Sequence, residues 1–220
     1  MRVVVSHVGY SKSTRTRLAA DVALSWKIQY PEFFVDLYVN RECMDYCKEY
    51  LKGTDVNILE YSTQLFNIRE EVKNLTYAWP RLAIESIQTE FPFISVDTDG
   101  VAYGRFVEFS ELDSKIFYGG EYCSDFRDFK LRKNGTLYQT VDIPEDVPIP
   151  GGDFCIFWNK KQLQETVDAL NELVQTENCD HGVDEIARVL AARRLGMQVL
   201  ALFPKLGYLH IGYISRVKDI

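Results

Sequence analysis

Asp97 and Asp99 stand two residues apart at the end of the apolar run Pro92-Phe93-Ile94-Ser95-Val96, and Gly100 follows them. Such a run reads as a buried strand, so both carboxylates fall at its C-terminal end. A carboxylate taken out of water is costly unless a cation compensates it, and two together suggest a bound one. Carboxylate oxygens are hard donors, which suits Mg²⁺ or Mn²⁺ and the phosphates that such ions share. The same residues also fit a β-hairpin, because Asp-Gly favours a turn and residues 101–109 could supply the return strand. Both alternatives stand at this level.

The composition narrows the field around that pair. A chain of 220 residues is expected to form one domain with a substantial core. Its 46% apolar and 26% charged content is that of an ordinary globular protein. A net charge of −7 argues against a nucleic-acid partner, which would select a basic surface. No apolar run approaches the ~20 residues of a membrane span. Val3-Val4-Val5 gives way at once to polar residues, so no signal peptide is expected. Cys43, Cys47, Cys123, Cys155 and Cys179 are odd in number and form no C-x-x-C pair. Reduced thiols in the cytoplasm (the host's, were the chain viral) are the simplest expectation. Cys43 and Cys47, i and i+4 on a short helix, read as core packing rather than a metal clip. The sequons at Asn74 and Asn134 are then chance matches.

Alternating strands and helices lead up to the aspartates. Val3–Val8 is β-branched, and Leu18, Ala19, Val22, Ala23 and Trp26 follow helical spacing until Pro31. Residues 33–39 and 56–60 read as strands around a short helix that Gly53 stops. Residues 68–75 look helical, and Pro80 opens a helix carrying Leu82, Ala83, Ile84 and Ile87. This alternation predicts an α/β fold with a mainly parallel sheet, whose ligands gather at the carboxyl ends of the strands. Beyond residue 100 the pattern loosens into an aromatic-rich excursion to residue 139 and a Pro-rich segment to residue 150. A strand at 154–158, a helix at 162–174 with Leu163, Val167, Leu170 and Val174 on one face, and a helix at 184–195 stopped by Gly196 follow. Residues 197–203 and 208–214 close the chain as strands. No repeat or linker divides it.

Several short motifs now fall in one order: Trp79-Pro80-Arg81-Leu82, Asp97-Thr98-Asp99, Gly151-Gly152-Asp153-Phe154, Asp184-Glu185 and His210. This order resembles the metal-dependent GT-A glycosyltransferases with a D-x-D motif, and within them most looks like the retaining α-1,3-galactosyl- and N-acetylgalactosaminyltransferases. Small stand-alone domains of that kind occur in viral and bacterial glycosylation systems. The resemblance covers nearly the whole chain in architecture and rests on those short motifs in sequence. It implies a single GT-A domain, with residues 1–100 as the nucleotide-sugar-binding half and 101–220 as the acceptor-binding half. It further implies transfer of a sugar from a nucleotide sugar, a UDP-sugar first, to a glycan, glycoprotein or lipid acceptor with Mn²⁺ or Mg²⁺.

The resemblance also suggests roles. Asp99 would bind the metal directly, Asp97 the metal or the ribose, and His210 would complete the coordination. Taken alone, His210 equally fits a packed, hydrogen-bonded histidine. Arg81 would reach the diphosphate or the donor sugar, and alternatively sits on a solvated helix face. Ser6, His7, Val8, Gly9 and Tyr10 would grip the base and ribose, with Tyr10 stacking, or form an ordinary loop. Asp184 is a good N-cap, and a helix dipole accounts for both Asp184 and Glu185. The functional alternative makes Glu185 a base, a nucleophile or a stabiliser of oxocarbenium character, with Asp153 as a competing candidate. Gly151 and Gly152 would let a sugar approach the backbone, or merely turn the chain.

Some residues depart from the pattern. Gly100 stands where this fold often has a larger residue, and Ala102-Tyr103-Gly104-Arg105 matches no signature of the family, which leaves the donor sugar open. Strand-D-x-D-G also suits a haloacid-dehalogenase-like Mg²⁺ phosphatase. That family places the motif near the start of its core and needs a later acidic pair, which is not evident here. A non-catalytic nucleotide-sugar or glycan-binding module, with the aromatics of 103–126 as a platform, is the third alternative.

Overall fold

The computed structural model describes residues 1–7, 14–61, 78–98, 100–105, 108–120, 123–128, 141–173, 182–201 and 208–210. Along the chain the elements are β1 (Arg2–His7), α1 (Thr14–Gln29), β2 (Phe34–Val39), α2 (Met44–Tyr50), β3 (Val56–Glu60) and α3 (Ala78–Ser86). Then come β4 (Phe93–Val96), β5 (Gly100–Ala102), β6 (Ile116–Gly119), β7 (Cys123–Asp125), β8 (Pro148–Pro150) and β9 (Phe154–Phe157). The last are α4 (Lys160–Leu173), α5 (Val183–Arg194), β10 (Gln198–Ala201) and β11 (Tyr208–His210). The helical expectation for 68–75 lies outside the described residues.

Among the described residues a seven-stranded sheet runs β10-β6-β9-β4-β1-β2-β3. The pairs β4-β1, β1-β2, β2-β3 and β10-β6 are parallel. β9 is antiparallel to both of its neighbours, β4 and β6. The sheet is therefore mixed and mainly parallel, with helices on both faces.

Alternation along each strand divides the core in two. Val4, Phe93 and Phe157 pack with Leu82 and Ile84 of α3, Leu163 and Leu170 of α4, and Ile186 and Val189 of α5. Val3, Val5, Ile94, Val96, Phe154 and Ile156 face the other way, against α1 and α2. Trp26 is fully buried there, stacked on Tyr30 at 5.6 Å and on Phe154 at 6.1 Å. Cys43 and Cys47 are buried free thiols in the same layer, as their spacing predicts.

Two local expectations need correcting. On α4 the buried stripe is Leu163, Thr166, Ala169, Leu170 and Leu173, with Val167 only half-buried. Thr166 can sit in that stripe because its hydroxyl donates to the Gln162 carbonyl at 2.9 Å. On α5 the N-cap is Gly182, not Asp184, so Asp184 and Glu185 belong to the first turn itself. Gly196 does end that helix, at a φ of 68°.

Candidate active site

The register of the central strands sets three site residues at one level. Val5 pairs with Val96, and Val96 pairs with Phe154. Ser6, Asp97 and Asp153 each lie one residue beyond those pairs, at the sheet edge where β1 and β4 end and β9 begins. A backbone bond extends the β4-β9 ladder there: the Asp97 N–H donates to the Asp153 carbonyl at 2.8 Å.

The aspartate segment is not a hairpin. β4 is flanked by β1 and β9, and the strand after the aspartates, β5, pairs instead with β11. In that antiparallel pair His210 stands opposite Gly100, so the strand carrying the histidine runs beside the end of the D-x-D segment. Asp99 lies outside the described residues, as does the His210 side chain. The Thr98 N–H donates to Asp97 Oδ1 at 2.7 Å and orients that carboxylate, while the Thr98 side chain is buried. Gly100 is tied back twice, its N–H to the Asp97 carbonyl at 3.2 Å and its carbonyl to Trp26 Nε1 at 3.0 Å.

Gly151, Gly152 and Asp153 enter β9 against the end of β6. The Gly120 N–H donates to the Gly151 carbonyl at 2.9 Å. The Asp153 side chain is buried directly over Gly120, where a Cβ would lie 1.9 Å from its Oδ1. Gly152 is approached closely by other side chains. A Cβ there would meet Arg188 Nη1 and Asp184 Oδ2 at 3.2 Å and Glu185 Cγ at 3.3 Å. The room left by the missing side chain is thus taken by the first turns of α5. The Gly152 N–H donates to Glu185 Oε1 at 3.1 Å, which joins the glycine segment to the acidic turn.

Arg81 is not on a solvated face. It is buried, and its Nε donates to Glu85 Oε1 at 3.1 Å and to Ser95 Oγ at 2.8 Å. Its Nη1 donates to the Gly152 carbonyl, and the Ser95 hydroxyl donates to Glu85 Oε1. Arg81 Nη2 is buried with no hydrogen-bond partner among the described residues. Arg188, also buried, donates through Nη2 to Glu85 Oε1 at 3.1 Å and Oε2 at 3.3 Å, and through Nη1 to Asp184 Oδ2 at 2.5 Å. Burial opposes both positive charges, and the nearby carboxylates, Glu85 foremost, more than offset it. Both guanidinium pKa values therefore lie above the ordinary arginine value. Cys155 stands close by, but burial pushes its pKa up to about 11, so it is a thiol and no nucleophile at neutral pH.

Ser6 and His7 are the last residues of β1, within the β-branched run read from the sequence. The His7 ring is fully buried, with Nε2 3.0 Å from Thr16 Oγ1 on α1, and burial lowers its pKa to about 4. That ring packs between β1 and α1. The Ser6 hydroxyl is buried with no hydrogen-bond partner among the described residues. Val8, Gly9 and Tyr10 lie outside them.

The structure thus brings Asp97, Thr98, Gly151, Gly152, Asp153, Asp184, Glu185 and Arg81 to one end of the sheet, with Ser6 at the same level. Sequence reading missed Glu85, Ser95, Arg188, Gly120 and Trp26. A signal existed for two of them: Glu85 follows Arg81, and Arg188 follows Asp184, at the i,i+4 spacing of a helical ion pair. For Ser95, a small residue within an apolar strand, there was none. Among the described residues no three metal-ligating side chains cluster.

No family model and no curated protein matches this sequence. Solved structures do match. The chain is similar to the galactosyltransferase LgtC in complex with donor and acceptor sugar analogs, with a TM-score of 0.61 and 10% identity, covering 91% of this chain and 73% of that one. It is similar to the PaToxG glycosyltransferase, with a TM-score of 0.55 and 13% identity over 88% of this chain and 68% of that one. A third is mouse xyloside xylosyltransferase 1 in its apo form, with a TM-score of 0.53 and 11% identity over 91% and 84%. At such identities the likeness is one of fold: this chain has the GT-A fold of those glycosyltransferases.

Proposed function

We propose that this chain is a glycosyltransferase that moves a sugar from a nucleotide sugar, a UDP-sugar first among them, to an acceptor hydroxyl. The observation that carries this reading is the meeting of Asp97 with the Gly152–Asp153 entry to β9, itself bonded to Glu185, at the carboxyl ends of β1 and β4. Ligands of such sheets bind at that edge, and the solved structures of like fold are of glycosyltransferases.

The residues fit a divalent cation by the chemistry of their donors. Asp97 and Asp99 offer hard carboxylate oxygens, and His210 an imidazole nitrogen on the strand paired at Gly100. These three would hold Mn²⁺ or Mg²⁺, which when bound supplies Lewis-acid stabilisation of a leaving diphosphate. The Thr98 N–H, bonded to Asp97 Oδ1, would limit the rotation of that carboxylate. Ser6 retains hydroxyl bonding capacity at the level of Asp97 and suits the ribose or base, with Val8 and Tyr10 next in the chain. Arg81 Nη2 retains a donor for the sugar or the diphosphate. Glu185, whose Oε1 accepts from the Gly152 N–H, would serve the reacting centre as base, nucleophile or charge stabiliser. Asp153 is the alternative for that role, and Asp184 flanks it. The finer form of the proposal is a retaining galactosyl- or N-acetylgalactosaminyltransferase acting on a glycan, glycoprotein or lipid. No described helix is long and apolar enough to cross a membrane. The buried free thiols Cys43, Cys47 and Cys155 support a reducing, cytoplasmic setting for the reaction.

A haloacid-dehalogenase-like phosphatase would carry its aspartates on the first strand of its core. Here they end β4, with β1, β2 and β3 already formed to one side. The test is calorimetric titration with UDP-galactose, UDP-N-acetylgalactosamine, UDP-glucose and UDP-xylose, with and without Mn²⁺, on wild type and Asp99→Ala. Metal-dependent binding lost in the variant supports the proposal, and slow donor hydrolysis separates an enzyme from a binding module. Absence of nucleotide binding under every condition overturns it and sends the phosphatase alternative to assay on phosphosugars.

A further inference from the structure

Glu85 is fully buried, yet three elements converge on its carboxylate: Arg81 of its own helix, Ser95 of β4 and Arg188 of α5. Apolar side chains of similar volume would join those elements at least as stably as buried charges do. The outer bonds indicate what the charges accomplish instead. Arg81 reaches beyond Glu85 to the Gly152 carbonyl, and Arg188 reaches beyond it to Asp184 Oδ2. The Gly152 N–H goes to Glu185. The Gly152 residue is therefore gripped at its carbonyl by Arg81 and at its N–H by Glu185, while Arg188 fixes the neighbouring acidic turn. Arg81 and Arg188 repel one another, and Glu85 between them holds both in place.

We propose that Glu85 and Arg188 are positioning residues for sugar transfer, fixing the Gly152 segment and the Asp184–Glu185 turn at the reacting centre. The proposal rests on the glycosyl-transfer reading of the site. Neither residue need touch substrate. The negative charge of Glu85, not its volume alone, sets the geometry: an amide in its place leaves two buried guanidiniums without the carboxylate they share.

The test uses the full chain and the variants Glu85→Gln, Arg188→Lys and Arg188→Met. One readout is the ¹⁵N–¹H resonance of the Gly152 amide, with Gly53, in the turn that follows α2, as reference. The other is kcat and donor KM with the best UDP-sugar from the titration, corrected for folded fraction. In Glu85→Gln the Gly152 resonance shifts while that of Gly53 does not, and kcat falls about ten- to a hundred-fold with donor KM changed less than about threefold. Arg188→Lys retains more kcat than Arg188→Met. An unmoved Gly152 resonance, or a kcat unchanged once folded fraction is counted, overturns the proposal. Should Glu85→Gln not fold, Arg188→Lys carries the same two readouts. If wild type turns over no nucleotide sugar, the sugar-transfer reading fails, and the Gly152 resonance alone decides whether Glu85 positions that segment.

Discussion

Asp97 and Asp153, distant in sequence, face each other where β4 and β9 meet, joined by a 2.8 Å bond from the Asp97 N–H to the Asp153 carbonyl. One carboxylate-bearing segment is thereby held against the other through the backbone. Movement of either strand end is felt at both.

Asp97→Asn keeps an acceptor for the Thr98 N–H and removes the charge. Metal-dependent UDP-sugar affinity is expected to fall at least about tenfold, since a neutral amide is a poorer ligand for a hard cation. The Tm should move little. Calorimetry in Mn²⁺ alongside thermal unfolding checks both halves.

Gly120→Ala places a methyl group on the Asp153 carboxylate, which must rotate or carry the β9 entry with it. Overpacking of this kind costs about 1–3 kcal/mol. Turnover should fall further than folded fraction does, because the displaced carboxylate is bonded through its backbone to Asp97. Urea unfolding and kcat on the same preparation separate the two effects.

Trp26→Phe removes the indole donor to the Gly100 carbonyl and part of a buried stack. A loss of about 2 kcal/mol is expected. The Asp97–Gly100 segment is freed on one side, so Mn²⁺ affinity should weaken roughly threefold or more, read by Mn²⁺ electron paramagnetic resonance titration.

His7 gives a pH dependence whose sign is fixed by its burial. Its pKa is lowered to about 4 in the folded chain, against about 6.5 unfolded, so the unfolded chain binds more protons between those values. The stabilisation is complete above pH 6.5 and is lost as pH falls towards 4, amounting to about 2 kcal/mol between pH 7 and pH 5. His7→Gln should lack that component, so the difference in urea-derived stability between wild type and variant should shrink as the pH is lowered through this window.

The described strands and helices up to residue 100 were legible in the sequence because β-branched runs, helical spacing, Pro31 and Gly53 are local signals. So was the place of Asp97, since an apolar run ending in carboxylates has few explanations. The surroundings of Arg81 were not legible. Nothing nearby in sequence tells that Ser95, Gly152 and Arg188 enclose it with Glu85, and the difference between a solvated arginine and a buried one lies wholly in those partners. Tertiary structure likewise decided that the strand after the aspartates, β5, pairs with β11 rather than back along β4, and that Gly152 lies against α5. Periodicity is written into consecutive residues, whereas burial, strand partner and ion pairing depend on segments that meet only when the chain has closed.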